Sequence, residues 1–156
     1  MEETHNDAVG IGSVHPPVIL GVGLGTIILQ KILGVPSPLP RLTRPFGIPL
    51  VIAGLLLGGT AFKAQHQGGT PVDPHQPTNA LVQTGPYRFT RNPIYLSFLL
   101  IVAGLAVLFN AFWTLPLVPG MAAILDRGMV VREEVHLEEK FSREYKEYKK
   151  QVPRWL

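Results

Sequence analysis

The chain alternates long uncharged stretches with shorter polar ones. Residues 8–30 contain no Asp, Glu, Lys or Arg, nor do residues 45–62, and the run 92–125 stays uncharged over 34 positions. A bilayer core about 30 Å thick needs roughly 20 apolar residues per helix, with about 17 as the lower limit. The first two windows therefore predict one span each. The third is too long for one span and predicts a hairpin of two short helices, with Asn110 near its middle as the turn residue. Pro116 and Pro119 are expected to kink or shorten the second arm. The pattern predicts an all-α integral membrane bundle of about four transmembrane helices, near 14–34, 45–63, 93–109 and 112–126.

The period changes after the last window. From Gly128 to Gln151, with Val152 just beyond, Val130, Leu137, Phe141, Tyr145, Tyr148 and Val152 fall on one helical face, and Lys and Glu fill the other. This predicts a C-terminal amphipathic helix lying on the membrane or on the cytoplasmic end of the bundle. The whole chain, 1–156, reads as a single domain: two spans and a loop (1–92), the hairpin (93–126), then the C-terminal helix and tail (127–156). The 64–91 loop is rich in Pro, Gly, Asn, Gln and Thr. A loop of that length between spans is more often functional or disordered than neutral.

Charge sharpens this picture. Only 16% of residues are charged, where soluble domains run near about a quarter. Eight of the 14 Lys and Arg lie from Arg127 onward, with six of the 11 Asp and Glu. A net charge of +3, local to one end, argues against nucleic acid and for anionic lipid headgroups. With four spans, the side holding both termini and the 64–91 loop (counted from Lys63) carries 11 Lys and Arg, against Lys31, Arg41 and Arg44 on the other. That excess predicts both termini to be cytoplasmic. The N-terminus, with Glu2, Glu3 and Asp7 and no cation, has the wrong sign for a signal peptide. There is no cysteine, and His5, His15, His66, His75 and His136 lack ligand spacing, so no metal is expected. Gly21, Gly23 and Gly25 look like part of a dinucleotide fingerprint but lie inside an apolar span with no strand before them. Close helix packing through small residues is the better reading.

Two groups of residues stand out chemically. Glu134 falls in the middle of the apolar stripe of the C-terminal helix, with Glu133 on its flank. An inward carboxylate costs several kcal/mol unless it finds a partner. The partner is either a salt bridge to Arg91 or Arg88, or a ligand hydroxyl or ammonium group. The second group spans Gly85 to Tyr95. Gly85 and Pro86 form a turn, Asn92 is placed to cap the third helix, and Pro93 sits in its first turn. Tyr87, Arg88, Arg91 and Tyr95 then cluster at headgroup depth, where such residues either anchor a helix end or build a site.

Together these groups resemble the isoprenylcysteine carboxyl methyltransferases and related membrane methyltransferases, including phospholipid N-methyltransferases. The stretch LVQTGPYRFTRNPIYLS is similar to that family's Leu-Val-x-x-Gly-x-Tyr…Arg-His-Pro-x-Tyr motif. The stretch EEVHLEEKFSREYKEYKKQVPRW is similar to its Glu-Glu tail, matching at Glu133, Glu134, Leu137, Phe141, Tyr145, Tyr148, Val152, Pro153 and Arg154. The resemblance runs clearly from Thr70 to Trp155. It implies a helical bundle with a cytoplasmic-side pocket for S-adenosylmethionine, and methyl transfer to a lipophilic acceptor, either the carboxylate of a prenylcysteine-like compound or another small lipid. The cofactor contacts it implies are Asn79, Ala80, Leu81, Val82, Tyr87, Asn92, Pro93, Ile94, Tyr95 and Glu133, with Glu134 nearby.

Arg91 and Glu134 are the residues assigned to the chemistry. Arg91 or Arg88 would orient a carboxylate acceptor, whereas an amine or hydroxyl acceptor would call on Glu133, Glu134 or His136 as base. Asn92 stands where the family has His, and Ser142 where it has Gly, the latter expected to be a small change. Met129 stands where the eukaryotic enzymes place an Arg for the substrate carboxylate. A non-catalytic membrane sensor or assembly protein and an NADPH-dependent membrane reductase are the alternative readings.

Overall fold

The computed structural model describes residues 16–68 and 80–156. Among these residues every regular element is helical: α1 (Pro16–Ile32), α2 (Gly47–Gln67), α3 (Pro93–Leu108), α4 (Leu117–Leu125) and α5 (Val131–Gln151). Short 3-10 turns cover Arg41–Phe46, Gly85–Arg88 and Phe112–Thr114, and a π-turn over Asp126–Val130 joins α4 to α5. The elements fall on the four predicted windows and the predicted C-terminal helix. Two helical stretches, Arg41–Gln67 and Phe112–Gln151, are long and apolar enough to cross a membrane, while α1 and α3 are shorter apolar helices. At a rise of about 1.5 Å per residue α3 is about 24 Å long. Asn110 adopts φ +55°, the left-handed turn conformation expected of the hairpin's midpoint, and accepts a hydrogen bond from Ser37. The second arm is short, nine residues of α4 that start only after Pro116.

Close approach between α2 and α3 rests on missing side chains. Gly47, Gly54 and Gly58 face Gly104, Ile101 and Ser97, and a Cβ on Gly54 would stand 2.8 Å from the Ser97 carbonyl oxygen. Of the three glycines on α1 only Gly23 is used this way, against Val102; Gly21 and Gly25 have open space. The main core gathers Ile19, Tyr95, Leu99, Val102, Met121, Leu125 and Val130 around α3. The outer faces of α1 and α2 remain apolar, with Val18, Val22 and Ile28 and then Ile48, Ile52 and Leu55 exposed. In water such a surface would drive association; in a bilayer it meets a solvent of its own kind.

Where the period changes near Gly128, α4, the π-turn and α5 run on without interruption. Twelve of the 21 residues of α5 are charged. At up to about 3 kcal/mol per charge in the hydrocarbon, this part of the helix belongs outside it. The buried side of α5 is the stripe read from periodicity: Glu134, Tyr145 and Tyr148 are buried, and Leu137 and Phe141 pack against the Tyr145–Tyr148–Val152 cluster. One local expectation fails. Ser142 is not a small change from Gly, because it sits at φ +34°, ψ −98°, where α5 kinks. A side chain is strained there and glycine is not.

Candidate functional site

The site lies where the start of α3, the start of α5 and the C-terminal tail meet. Pro93 opens α3 at a position where a missing N–H costs nothing, and this sets Tyr95 in the helix's first turn. The Tyr95 hydroxyl donates to the Glu133 carboxylate at 2.9 Å and lies 4.0 Å from the Met129 sulfur. Met129 and Glu133 are four residues apart across the junction with α5, so they face the same tyrosine. Glu133 itself remains accessible to solvent. Desolvation by its neighbours pushes its carboxyl above the usual range, and the Tyr95 hydroxyl works against that shift. Among the described residues no Lys or Arg forms an ion pair with Glu133. The buried Tyr87 completes this corner. Its phenol is raised, first by burial and then by the Glu133 charge, with Gln65 of α2 working against the shift.

Glu134 has partners in plenty. Its carboxylate accepts from Arg91 Nη1 at 2.7 Å and from Arg154 through Nε at 2.9 Å and Nη2 at 2.8 Å. Of the two candidates from sequence it is Arg91 that pairs with Glu134, while Arg88 is exposed. Arg154 is a partner that helical periodicity could not reveal, since the tail returns across the helix from 20 residues away. Its other side meets Asp126, with Nη1 at 3.1 and 3.2 Å from the two carboxylate oxygens, and the Trp155 indole also donates to Asp126 at 3.0 Å. Arg91 is therefore neutralised, yet its Nε is buried without a hydrogen-bond partner.

The residues before α3 hold the tail. The Arg91 backbone N–H donates to the Pro153 carbonyl at 3.0 Å, and Thr90 Oγ1 and Asn92 Nδ2 both donate to the Arg154 carbonyl. Asn92 occupies the cap position of α3 but makes no side-chain cap bond, a correction to its expected role, because its amide is turned to the tail.

The other predicted contacts divide. Tyr87, Tyr95 and Glu133 come together, and Pro93 is buried beside them. Ile94 and Val82 pack against the Ala61–Ala64–Tyr87 cluster, whereas Leu81 packs against Tyr145, Tyr148 and Val152. Ala80 is the first described residue before the Leu81–Val82 segment, and Asn79 lies outside the described residues. Gln65, Asp126 and Arg154 were not among the residues singled out. The only signal for Arg154 was its place in the tail motif, and for Asp126 it was a lone acid after 34 uncharged positions. The described residues contain no group of His and acids able to hold a metal ion.

Comparison with known proteins agrees with this geometry at the level of family. Residues 42–144 match the family of phospholipid methyltransferases. That is well over half of the chain, and the chain belongs to this family. No curated protein and no solved structure matches it.

Proposed function

We propose that this member of the phospholipid methyltransferase family is a four-span membrane enzyme that transfers a methyl group from S-adenosylmethionine to a lipophilic acceptor at the cytoplasmic face. One observation carries the reading: Glu133 is an ionisable carboxylate held by Tyr95, with no Lys or Arg paired to it among the described residues, where the two sequence motifs meet. A carboxylate crowded by its neighbours is favoured in its charged form when a cation arrives, and the methyl donor is a sulfonium cation. The residues thus fit the cofactor by charge and by hydrogen-bonding sense.

When bound, S-adenosylmethionine supplies an activated methyl group and leaves as a neutral thioether. The work left to the chain is alignment and exclusion of water, which is chiefly proximity catalysis. Tyr95 fixes the Glu133 carboxylate. Tyr87, Asn92 to Ile94 and Ala80 to Val82 would line the cofactor side, and Arg91 with Glu134 would frame the acceptor. An apolar acceptor enters sideways from the bilayer, and the polar cofactor from the cytoplasm.

The charges favour an amine-bearing lipid over a carboxylate. Arg91 and Arg154 are already committed to Glu134 and Asp126, and Met129 offers no charge where a carboxylate would need one. For an amine, methylation would release a proton, which Glu133, Glu134 or water would take up. The test is transfer of labelled methyl from S-adenosylmethionine, with phosphatidylethanolamine vesicles and farnesylcysteine offered side by side. Label in the vesicle lipid supports the amine. Label in farnesylcysteine alone would mean that Arg91 releases Glu134, and would overturn that choice of acceptor.

A further inference from the structure

The proposed function leaves unexplained why the chain spends an acid, Asp126, at the very end of a 34-residue uncharged run. Its position is not incidental to the helix. In an ideal α-helix two residues eight apart point about 80° away from each other, whereas a π-turn that takes up one extra residue reduces the offset to about 20°. The π-turn over Asp126–Val130 therefore brings Asp126 and Glu134 onto one face, where a single guanidinium spans both. Arg154 is that guanidinium, and its carbonyl is pinned by Thr90 and Asn92 on either side of Arg91. A closed chain of contacts results: Asp126 to Arg154, Arg154 to Glu134, Glu134 to Arg91, and Arg91 through its backbone to Pro153.

Resting on the proposed function, we propose that Asp126 is a positioning residue for methyl transfer. It holds Arg154, which sets Glu134 and through it the Arg91 side chain that frames the acceptor. The polar partners of Asp126 are Arg154 and Trp155, and no hydrogen bond or ion pair among the described residues joins it to Tyr95 or Glu133, so its effect is expected on acceptor alignment and not on cofactor binding. Asp126→Asn is the direct perturbation. Asn keeps the volume and still accepts from the Trp155 indole, but it withdraws the charge facing Arg154. A misalignment of about 1 Å costs about 100-fold in rate, so kcat is expected to fall about 10- to 100-fold. The KM for S-adenosylmethionine is expected to change by less than about threefold.

The decisive comparison repeats Asp126→Asn in an Arg91→Lys background. If Asp126 acts through Arg91, the second substitution costs no further kcat there. The same loss in both backgrounds, or a wild-type kcat for Asp126→Asn, overturns the proposal. Should Asp126→Asn fail to fold, Arg154→Lys serves in its place, because a lysine cannot grip both carboxylates at once. A readout independent of activity is the 15N spectrum of the arginine Nε–H groups in detergent micelles, with the Arg91 signal identified by its loss in Arg91→Lys. That signal is expected to shift in Asp126→Asn, and an unmoved signal in folded protein overturns the proposal. If the wild type methylates no lipid, the functional reading falls, and the spectrum still decides the coupling.

Discussion

Removing Glu134 tests whether this carboxylate is the structural centre of the site. Three hydrogen bonds from two guanidiniums converge on it, at 2.7, 2.8 and 2.9 Å, and its side chain is only 9% exposed. The two partners do not suffer equally in Glu134→Ala. Arg154 is 32% exposed and keeps Asp126, so its loss is screened. Arg91 is 11% exposed and keeps only a long contact of 3.4 Å to the Tyr145 hydroxyl, so it is left as a stranded cation. Breaking a buried pair by removing one partner costs about 3–5 kcal/mol, and most of it here is the penalty on Arg91. For a chain of this size that loss lowers Tm by about 6–20 °C, measurable in detergent by thermal unfolding. Replacing both members, Glu134→Leu with Arg91→Leu, is expected to recover most of the stability, because no charge is then left unpaired. A fall of less than about 2 °C in Glu134→Ala, or a double variant worse than the single, would refute the reasoning.

Three further outcomes follow from the same structure. Desolvation raises the Glu133 carboxyl, and a cationic donor favours its ionised form. S-adenosylmethionine binding should therefore weaken as pH falls through that raised pKa, by about tenfold per unit well below it, and Glu133→Gln should bind more weakly with a flat pH profile, as titration calorimetry would read. Ser142→Gly relieves a backbone that only glycine adopts freely, and should raise Tm by about 2–4 °C; an unchanged or lower Tm would remove strain at the α5 kink from the account. Gly54→Ala places a Cβ 2.7 Å from Ile101 and should cost about 1–3 kcal/mol, whereas Gly59→Ala enters open space and should be neutral or mildly stabilising; equal effects on unfolding would sink the tight α2–α3 contact.

Much of this architecture was legible because the bilayer imposes a simple grammar. Uncharged windows placed the helices, Asn110 marked the hairpin turn, and the stripe from Val130 to Val152 picked out the buried face of α5, Glu134 included. The pairing of Glu134 with Arg91 was among the alternatives that burial cost alone suggests. What stayed hidden depends on contacts between distant residues or on backbone detail. Periodicity cannot show that the tail folds back to set Arg154 between Glu134 and Asp126. Periodicity places one helix near 112–126 and another from Gly128, and only the backbone shows the π-turn that joins them. Asn92 carried the right residue type for a cap, but the Arg154 carbonyl competes for its amide. Ser142 differs from Gly by one small side chain, and its cost appears only with the dihedral angle.

The most direct test of the central claim is titration of S-adenosylmethionine into the detergent-purified protein by calorimetry. NADPH serves as control, with Glu133→Ala and Tyr95→Ala beside the wild type. Saturable binding of the methyl donor, absent for NADPH and weakened about 10- to 100-fold by each substitution, is the expected result. No binding of S-adenosylmethionine to wild-type protein shown to be folded would contradict the account, and binding of NADPH in its place would point to a reductase.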